Sequence, residues 1–227
     1  MKDCKAIIIY GAPGAGKGTQ AELLTRRFYF IHFDTGRYLE NQIYDPEKEN
    51  DPIWQKARKQ FDSGELLDPP FVLKLVSEFT TRVANAGMSI VYSGSPRTIY
   101  EAFGAQETTG LMETLSDKYG KENISIIFLD ISEEETMARN STRKLCSVCG
   151  LPILSASKLE TCAFCGGKAK TRTLDDPKII KVRLKEFKNR TYPIVERLKK
   201  EGFSVHKING SPMPYKVHEK VSELLNL

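Results

Sequence analysis

Residues 5–19 read KAIIIYGAPGAGKGT: a β-branched run, Lys5 to Tyr10, turns through glycine-rich residues into a helical pattern over Gln20–Phe28. An isoleucine run without polar alternation suits a strand buried on both faces, as in a parallel sheet. The loop Gly11-Ala-Pro-Gly-Ala-Gly-Lys17-Gly-Thr19 therefore follows a strand and opens a helix, the context a phosphate cradle requires. Glycines let backbone N–H groups converge on phosphate oxygens, the helix N-terminus adds its dipole, a lysine reaches the outer phosphates and a hydroxyl can ligate Mg²⁺. Gly14, Ala15, Gly16, Lys17, Gly18 and Thr19 are the candidate phosphate-binding residues. The loop departs from strict G-x4-G-K-[ST] in one place, where Gly18 separates the lysine from Thr19.

Working outward, the strand-then-helix rhythm recurs. Further strands are predicted at Ser89–Tyr92, Ile124–Asp130 and Phe203–Ile208. Helical stretches separate them at Phe71–Ala84, Tyr100–Tyr119, Glu133–Thr142, Lys178–Lys200 and Tyr215–Leu225. Such alternation predicts an α/β fold, a P-loop NTPase-type parallel sheet with helices on both faces. Two segments break the rhythm. Asp34–Leu67 reads as helical with turns at Asp45-Pro46 and Asp51-Pro52, and Lys144–Thr173 is rich in Cys, Gly and Ser with no strand long enough for the main sheet. Both read as lobes inserted into the core: core 1–33, 68–142 and 175–227, helical lobe 34–67, cysteine lobe 143–174.

With 227 residues, 40% apolar and 28% charged, the chain suits one globular domain with insertions. No apolar run approaches the roughly 20 residues needed to span a bilayer, which argues against a membrane protein. The apolar run of MKDCKAIIIY is too short for a signal peptide core and reads as a strand. A formal charge of +5 suits anion binding without proving it. His32, His206 and His218 are scattered without ligand spacing, and Cys4 reads as a small buried hydrophobe. The remaining cysteines form two pairs, Cys146/Cys149 and Cys162/Cys165, the pairs separated by 12 residues and each followed by glycine. Their thiolates can converge tetrahedrally on a structural Zn²⁺, with buried or redox-active cysteines as the alternatives. Reduced, paired thiols point to the cytoplasm.

The variant GxPGxGKGT resembles the adenylate kinase branch of the nucleoside monophosphate kinases, and the resemblance covers essentially the whole chain. It implies a core that binds Mg·ATP, a lobe at 34–67 that binds AMP, and a zinc-containing lid at 143–174. It implies reversible phosphoryl transfer from Mg·ATP to AMP giving two ADP, by a monomer, with no nucleic acid or membrane partner. The alternatives are a kinase for CMP, UMP or GMP, or a catalytically weak nucleotide-binding protein. Arginines flanking the lid match the family's: Arg139 and Arg143 at its entrance, Arg172 and Arg183 at its exit. With Lys17 and Arg97 they surround the moving phosphate, and Pro152 and Ile153 join the ATP site. Thr35, Arg37, Glu65, Leu66, Leu67, Gly94, Arg97, Glu101, Arg172 and Arg183 form the implied AMP site.

Four polar positions depart from the pattern. The family's Asp-Gly-Phe-Pro-Arg is Ser93-Gly-Ser-Pro-Arg97 here, Thr-Gly-Asp-x-x-Arg is Thr35-Gly-Arg37-Tyr-Leu-Glu40, and a base-reading glutamine is Glu101. Arg37 and Glu40, exchanged at i, i+3, share a helix face, so Arg37 is predicted to take over the monophosphate contact. Asp34 is then the candidate to order the waters of Mg²⁺ in place of an acid at Ser93.

Overall fold

The computed structural model of the protein describes residues 5–154, 157–171 and 173–227. Cys4 and Arg172 lie outside the described residues. From the N-terminus the chain forms β1 (Ala6–Gly11), α1 (Lys17–Phe28), β2 (Ile31–Phe33), α2 (Thr35–Ile43), α3 (Pro52–Ser63), α4 (Pro69–Asn85) and β3 (Ile90–Tyr92). It continues through α5 (Ile99–Phe103), the short strands β4 (Gly104–Ala105) and β5 (Thr108–Thr109), α6 (Leu111–Tyr119), β6 (Ile124–Asp130) and α7 (Glu133–Ser141). Next come β7 (Lys144–Cys146), β8 (Pro152–Ile153), β9 (Ala169–Lys170), α8 (Pro177–Glu186), α9 (Tyr192–Lys200), β10 (Ser204–Asn209) and α10 (Pro214–Leu224).

The central sheet is parallel, in the order β10-β6-β1-β3-β2. Its alternating side chains feed separate cores. Ala6, Ile8, Tyr10, Ile124 and Ile126 face α4, α6 and α9, while Ile7, Ile9, Ile127 and Leu129 face α1 and α10. This two-sided burial is why β1 carries no polar alternation.

The 34–67 lobe is α2 and α3, held to the core through Leu39, Ile43 and Ala57. The lid folds around a small antiparallel sheet, β8-β7-β9. Three local readings needed refinement. The helix expected over Tyr100–Tyr119 breaks into α5 and α6, because Gly104 takes φ +72° to end α5 and Gly110 packs where a Cβ would lie 2.4 Å from the Phe103 carbonyl carbon. The helix expected over Lys178–Lys200 widens into a π-type turn at Phe187–Thr191, just ahead of Pro193, which has no N–H for an ordinary helical bond. Strand β2, three residues long, is too short to register as a pattern.

Candidate active site

A cleft of about 1140 Å³ opens where the carboxyl ends of β1, β2 and β3 meet both inserted lobes. Open parallel sheets bind ligands at this edge because the loops there diverge. From the loop after β1, Gly14, Gly16, Lys17, Gly18 and Thr19 line the cleft, whereas Ala15 turns inward and is buried. Three of the loop's glycines are needed for shape. Gly11, Gly14 and Gly16 all have positive φ, and a methyl at Gly14 would lie 2.6 Å from the Asn140 amide nitrogen.

Lys17 folds over the loop and donates from Nζ to the carbonyls of Gly11 at 2.8 Å and Ala12 at 2.9 Å. Burial holds its ammonium well below the usual lysine range, and the charges of Arg97, Arg183 and Arg143 push it further down. Four cations thus converge from a loop, the turn after β3, the end of α7 and α8. No local pattern in the sequence contains them together.

The arginines are oriented by specific acceptors. Arg143 makes a bidentate pair with Asp175, donating from Nε at 2.9 Å and also from Nη2. Arg183 lies 3.8 Å from the same carboxylate and donates to the Leu174 carbonyl at 3.1 Å. Asp175 is buried and therefore fixes two guanidinium groups at once, while neighbouring Asp176 only caps α8 by accepting from Lys178 N–H. Arg139 donates to the carbonyls of Gly210 at 3.0 Å and Ser211 at 2.8 Å and pairs with Glu135 at 2.6 Å, closing the wall beside Gly14. Arg97 donates from Nε to the Gly94 carbonyl at 2.6 Å, which tightens its own turn.

On the lobe side, Arg37, Glu65, Leu66, Gly94 and Arg97 line the main cleft. Thr35, Leu67 and Glu101 instead line a smaller adjoining cavity that Arg97, Glu65 and Leu66 share. Glu101 does not present a free carboxylate edge. It closes a capping box with Thr98, accepting from the Thr98 hydroxyl and the Arg97 N–H at 2.9 Å each. Burial raises its carboxyl above the usual range, and those two hydrogen bonds oppose the rise.

Arg37 extends from α2 across the cleft to the lid, where a methyl at Gly150 would lie 3.0 Å from Nη2 and 3.1 Å from Cζ. Asp34 lines the cleft but is engaged as the N-cap of α2, accepting from Arg37 N–H at 3.1 Å. Pro152 lines the cleft from the lid, and Ile153 is buried behind it in the lid's own core.

The lid's Cys146, Cys149, Cys162 and Cys165 place their sulfurs within 4.8 Å of one another. Each pair adopts a knuckle in which backbone N–H groups point at the leading sulfur: Val148 and Cys149 at Cys146, Phe164 at Cys162, all at 3.4 Å. Those donors, Cys149 N–H foremost, draw the Cys146 thiol down to about 6. A Cβ on Gly167 would lie 2.6 Å from the Cys146 sulfur, so glycine is required beside the cluster. An all-thiolate tetrahedral set of this kind fits zinc and leaves no coordination position for chemistry.

Sequence reading missed His32. Its Nε2 lies 2.7 Å from the Ser93 hydroxyl and its Nδ1 3.0 Å from Glu22, and all three residues line the cleft. They come from β2, the turn after β3, and α1, so no spacing signal announced them.

Comparison with known proteins agrees with this geometry. A family model described as adenylate kinase matches residues 9–203. The adenylate kinase of Caldicellulosiruptor saccharolyticus is 31% identical over 203 residues, covering 88% of this chain and 89% of that protein. That of Petrotoga mobilis is 29% identical over 225 residues, 97% and 96% of the two chains, and that of Lactobacillus gasseri is 28% identical over 225 residues, 97% and 98%.

Proposed function

The chain belongs to the adenylate kinase family, and from that premise we propose how its residues carry out the family reaction. The protein is an ATP:AMP phosphotransferase: the terminal phosphoryl group of Mg·ATP passes reversibly to AMP, forming two ADP. An oxygen of the AMP phosphate bonds to the terminal phosphorus as the bond to the bridging oxygen of the departing ADP breaks. Such transfer needs alignment and charge stabilisation more than covalent chemistry.

In this reading the loop amides, Lys17 and Thr19 hold the phosphates and metal of Mg·ATP, with Arg139, Arg143 and Pro152 closing its side. The 34–67 lobe receives AMP through Thr35, Arg37, Glu65, Leu66 and Leu67, with Gly94 and Arg97 at its phosphate. Arg143, Arg183 and Arg172 flank the group in transit. The 143–174 lid covers ATP and excludes water, its cysteines holding a structural Zn²⁺. Glu101 supports the AMP site by fixing the turn that carries Arg97. We assign the protein to the cytoplasm as a monomer; four lid thiols grouped as metal ligands favour a reducing compartment. No helix among the described residues is long and apolar enough to cross a membrane.

The observation that carries the reading is the convergence of Lys17, Arg97, Arg143 and Arg183 on one cleft bounded by both lobes. The test is ADP formation from ATP with AMP, CMP, UMP or GMP as acceptor. AMP should be used in preference to the others, and Arg97→Ala should cost about 10²–10³-fold in kcat/KM for AMP. Turnover faster with another acceptor would replace AMP in this account.

A further inference from the structure

In phosphoryl-transfer sites built on a glycine-rich loop, a strand-end acid helps hold Mg²⁺ beside the loop hydroxyl. The end of β3, hydrogen-bonded alongside β1, offers Ser93 at that place. A serine hydroxyl is both donor and acceptor and carries no charge, so alone it is a poor substitute. Ser93 is not alone.

The Ser93 side chain lies at the mouth of a hydrogen-bonded chain running back to a carboxylate. Its oxygen is 2.7 Å from His32 Nε2, and His32 Nδ1 is 3.0 Å from Glu22 Oε1. The imidazole is held in place, its side chain only 8% exposed, and Ser93 is 7% exposed. Glu22 stands on α1 one turn after Thr19, so the carboxylate and the loop hydroxyl share a helix face. The hydrogen bond from His32 also holds the Glu22 carboxyl below its usual range, which keeps it ionised.

The direction of each bond follows. An ionised carboxylate accepts only, so it draws the imidazole proton to Nδ1. With the imidazole neutral, Nε2 is then an acceptor and the Ser93 O–H donates to it. With its proton committed, the Ser93 oxygen turns lone pairs alone toward the cleft, and the chain of bonds back to Glu22 polarises it. A water bound to Mg²⁺ needs such an acceptor.

We propose that Glu22 and His32 are positioning residues that orient the Ser93 hydroxyl as the acceptor for a water of the bound Mg·nucleotide. Glu22 thereby polarises, through the imidazole, the hydroxyl that stands at the end of β3 where an acid is expected. Asp34 also lines the cleft, with Oδ1 engaged as the N-cap of α2, but Ser93 is the group that stands at the end of β3, where the acid is expected. The inference rests on the phosphotransfer reading, and its test separates the two.

Electron paramagnetic resonance with Mn²⁺ as probe measures how tightly the metal binds to the full-length protein in the presence of ATP. Ser93→Ala, His32→Ala and Glu22→Ala should each weaken Mn²⁺ by about 10-fold, the scale of one charge-assisted hydrogen bond, while metal-free ATP binds as before. The double variant His32→Ala with Ser93→Ala should be no weaker than either alone, because the three act as one chain. Ser93→Asp in the His32→Ala background should restore the affinity. A purely structural role for His32 would lower the melting temperature and leave Mn²⁺ affinity unmoved, which would overturn the proposal, as would additive losses. Should His32→Ala not fold, Ser93→Ala decides: unchanged Mn²⁺ affinity overturns the relay, and a loss recovered by Ser93→Asp upholds it. ADP formation by the unaltered protein is scored separately and bears only on the phosphotransfer reading.

Discussion

Glu101 illustrates how the folded turn decides what a side chain can do. Its position beside the Arg97 turn followed from the sequence, but which groups its oxygens meet depends on a capping box that only the folded turn completes. Its burial has a consequence for stability. An acid whose folded value is raised makes the native state most stable at low pH, where it is protonated folded and unfolded, and costs stability as pH climbs through the folded value. Glu101→Gln removes that cost. The variant's melting temperature should match the parent's near about pH 4 and exceed it by roughly 2–4 °C near about pH 8. A gap that is constant with pH would refute this. Lys17, the loop glycines and the four cysteines were legible because short spacing encodes their chemistry. His32 was not, since its partners lie 10 and 61 residues away in sequence and meet only when β2 pairs with β3.

At the scale of elements, strands β1 and β6 announced themselves through long apolar runs and β3 through its β-branched Ile90-Val91 pair, while the helices covering them showed periodicity. What stayed hidden were breaks that cost little sequence: a glycine ending α5 and a proline widening the passage from α8 to α9. The lid is a different case, because its own core among the described residues is Cys146, Cys149, Cys162, Ile153 and Ala169. So small a cluster cannot offset chain entropy without a metal. Chelation of the zinc proposed for this site, or Cys162→Ser, should therefore unfold the lid while the core sheet melts nearly as before. The expected readings are loss of bound metal, new protease sensitivity confined to residues 143–174, and a fall of about 10-fold or more in kcat. Full activity from a metal-free lid would contradict this.

At the scale of the whole molecule, the two inserted lobes reach each other across the cleft. Arg37 of the 34–67 lobe lies against Gly150 in the first knuckle, and Arg26 of α1 sits 5.5 Å over the ring of Phe164 in the second. One guanidinium thus spans the place assigned to the monophosphate and the flap above ATP. Arg37→Ala should raise the KM for AMP by roughly 10-fold, consistent with a lost charge-assisted contact. An unchanged KM would remove Arg37 from the AMP site.

The gathering of Lys17 with Arg97, Arg143 and Arg183 has a further effect at this scale. Asp175 offsets part of the charge of Arg143 and Arg183, and the repulsion that remains among the four cations is relieved when a polyanion sits among them. Ligation consequently stiffens the molecule beyond what contact area alone supplies. Starved of substrate, the same molecule is at its softest, so a degradative enzyme would clear idle copies first.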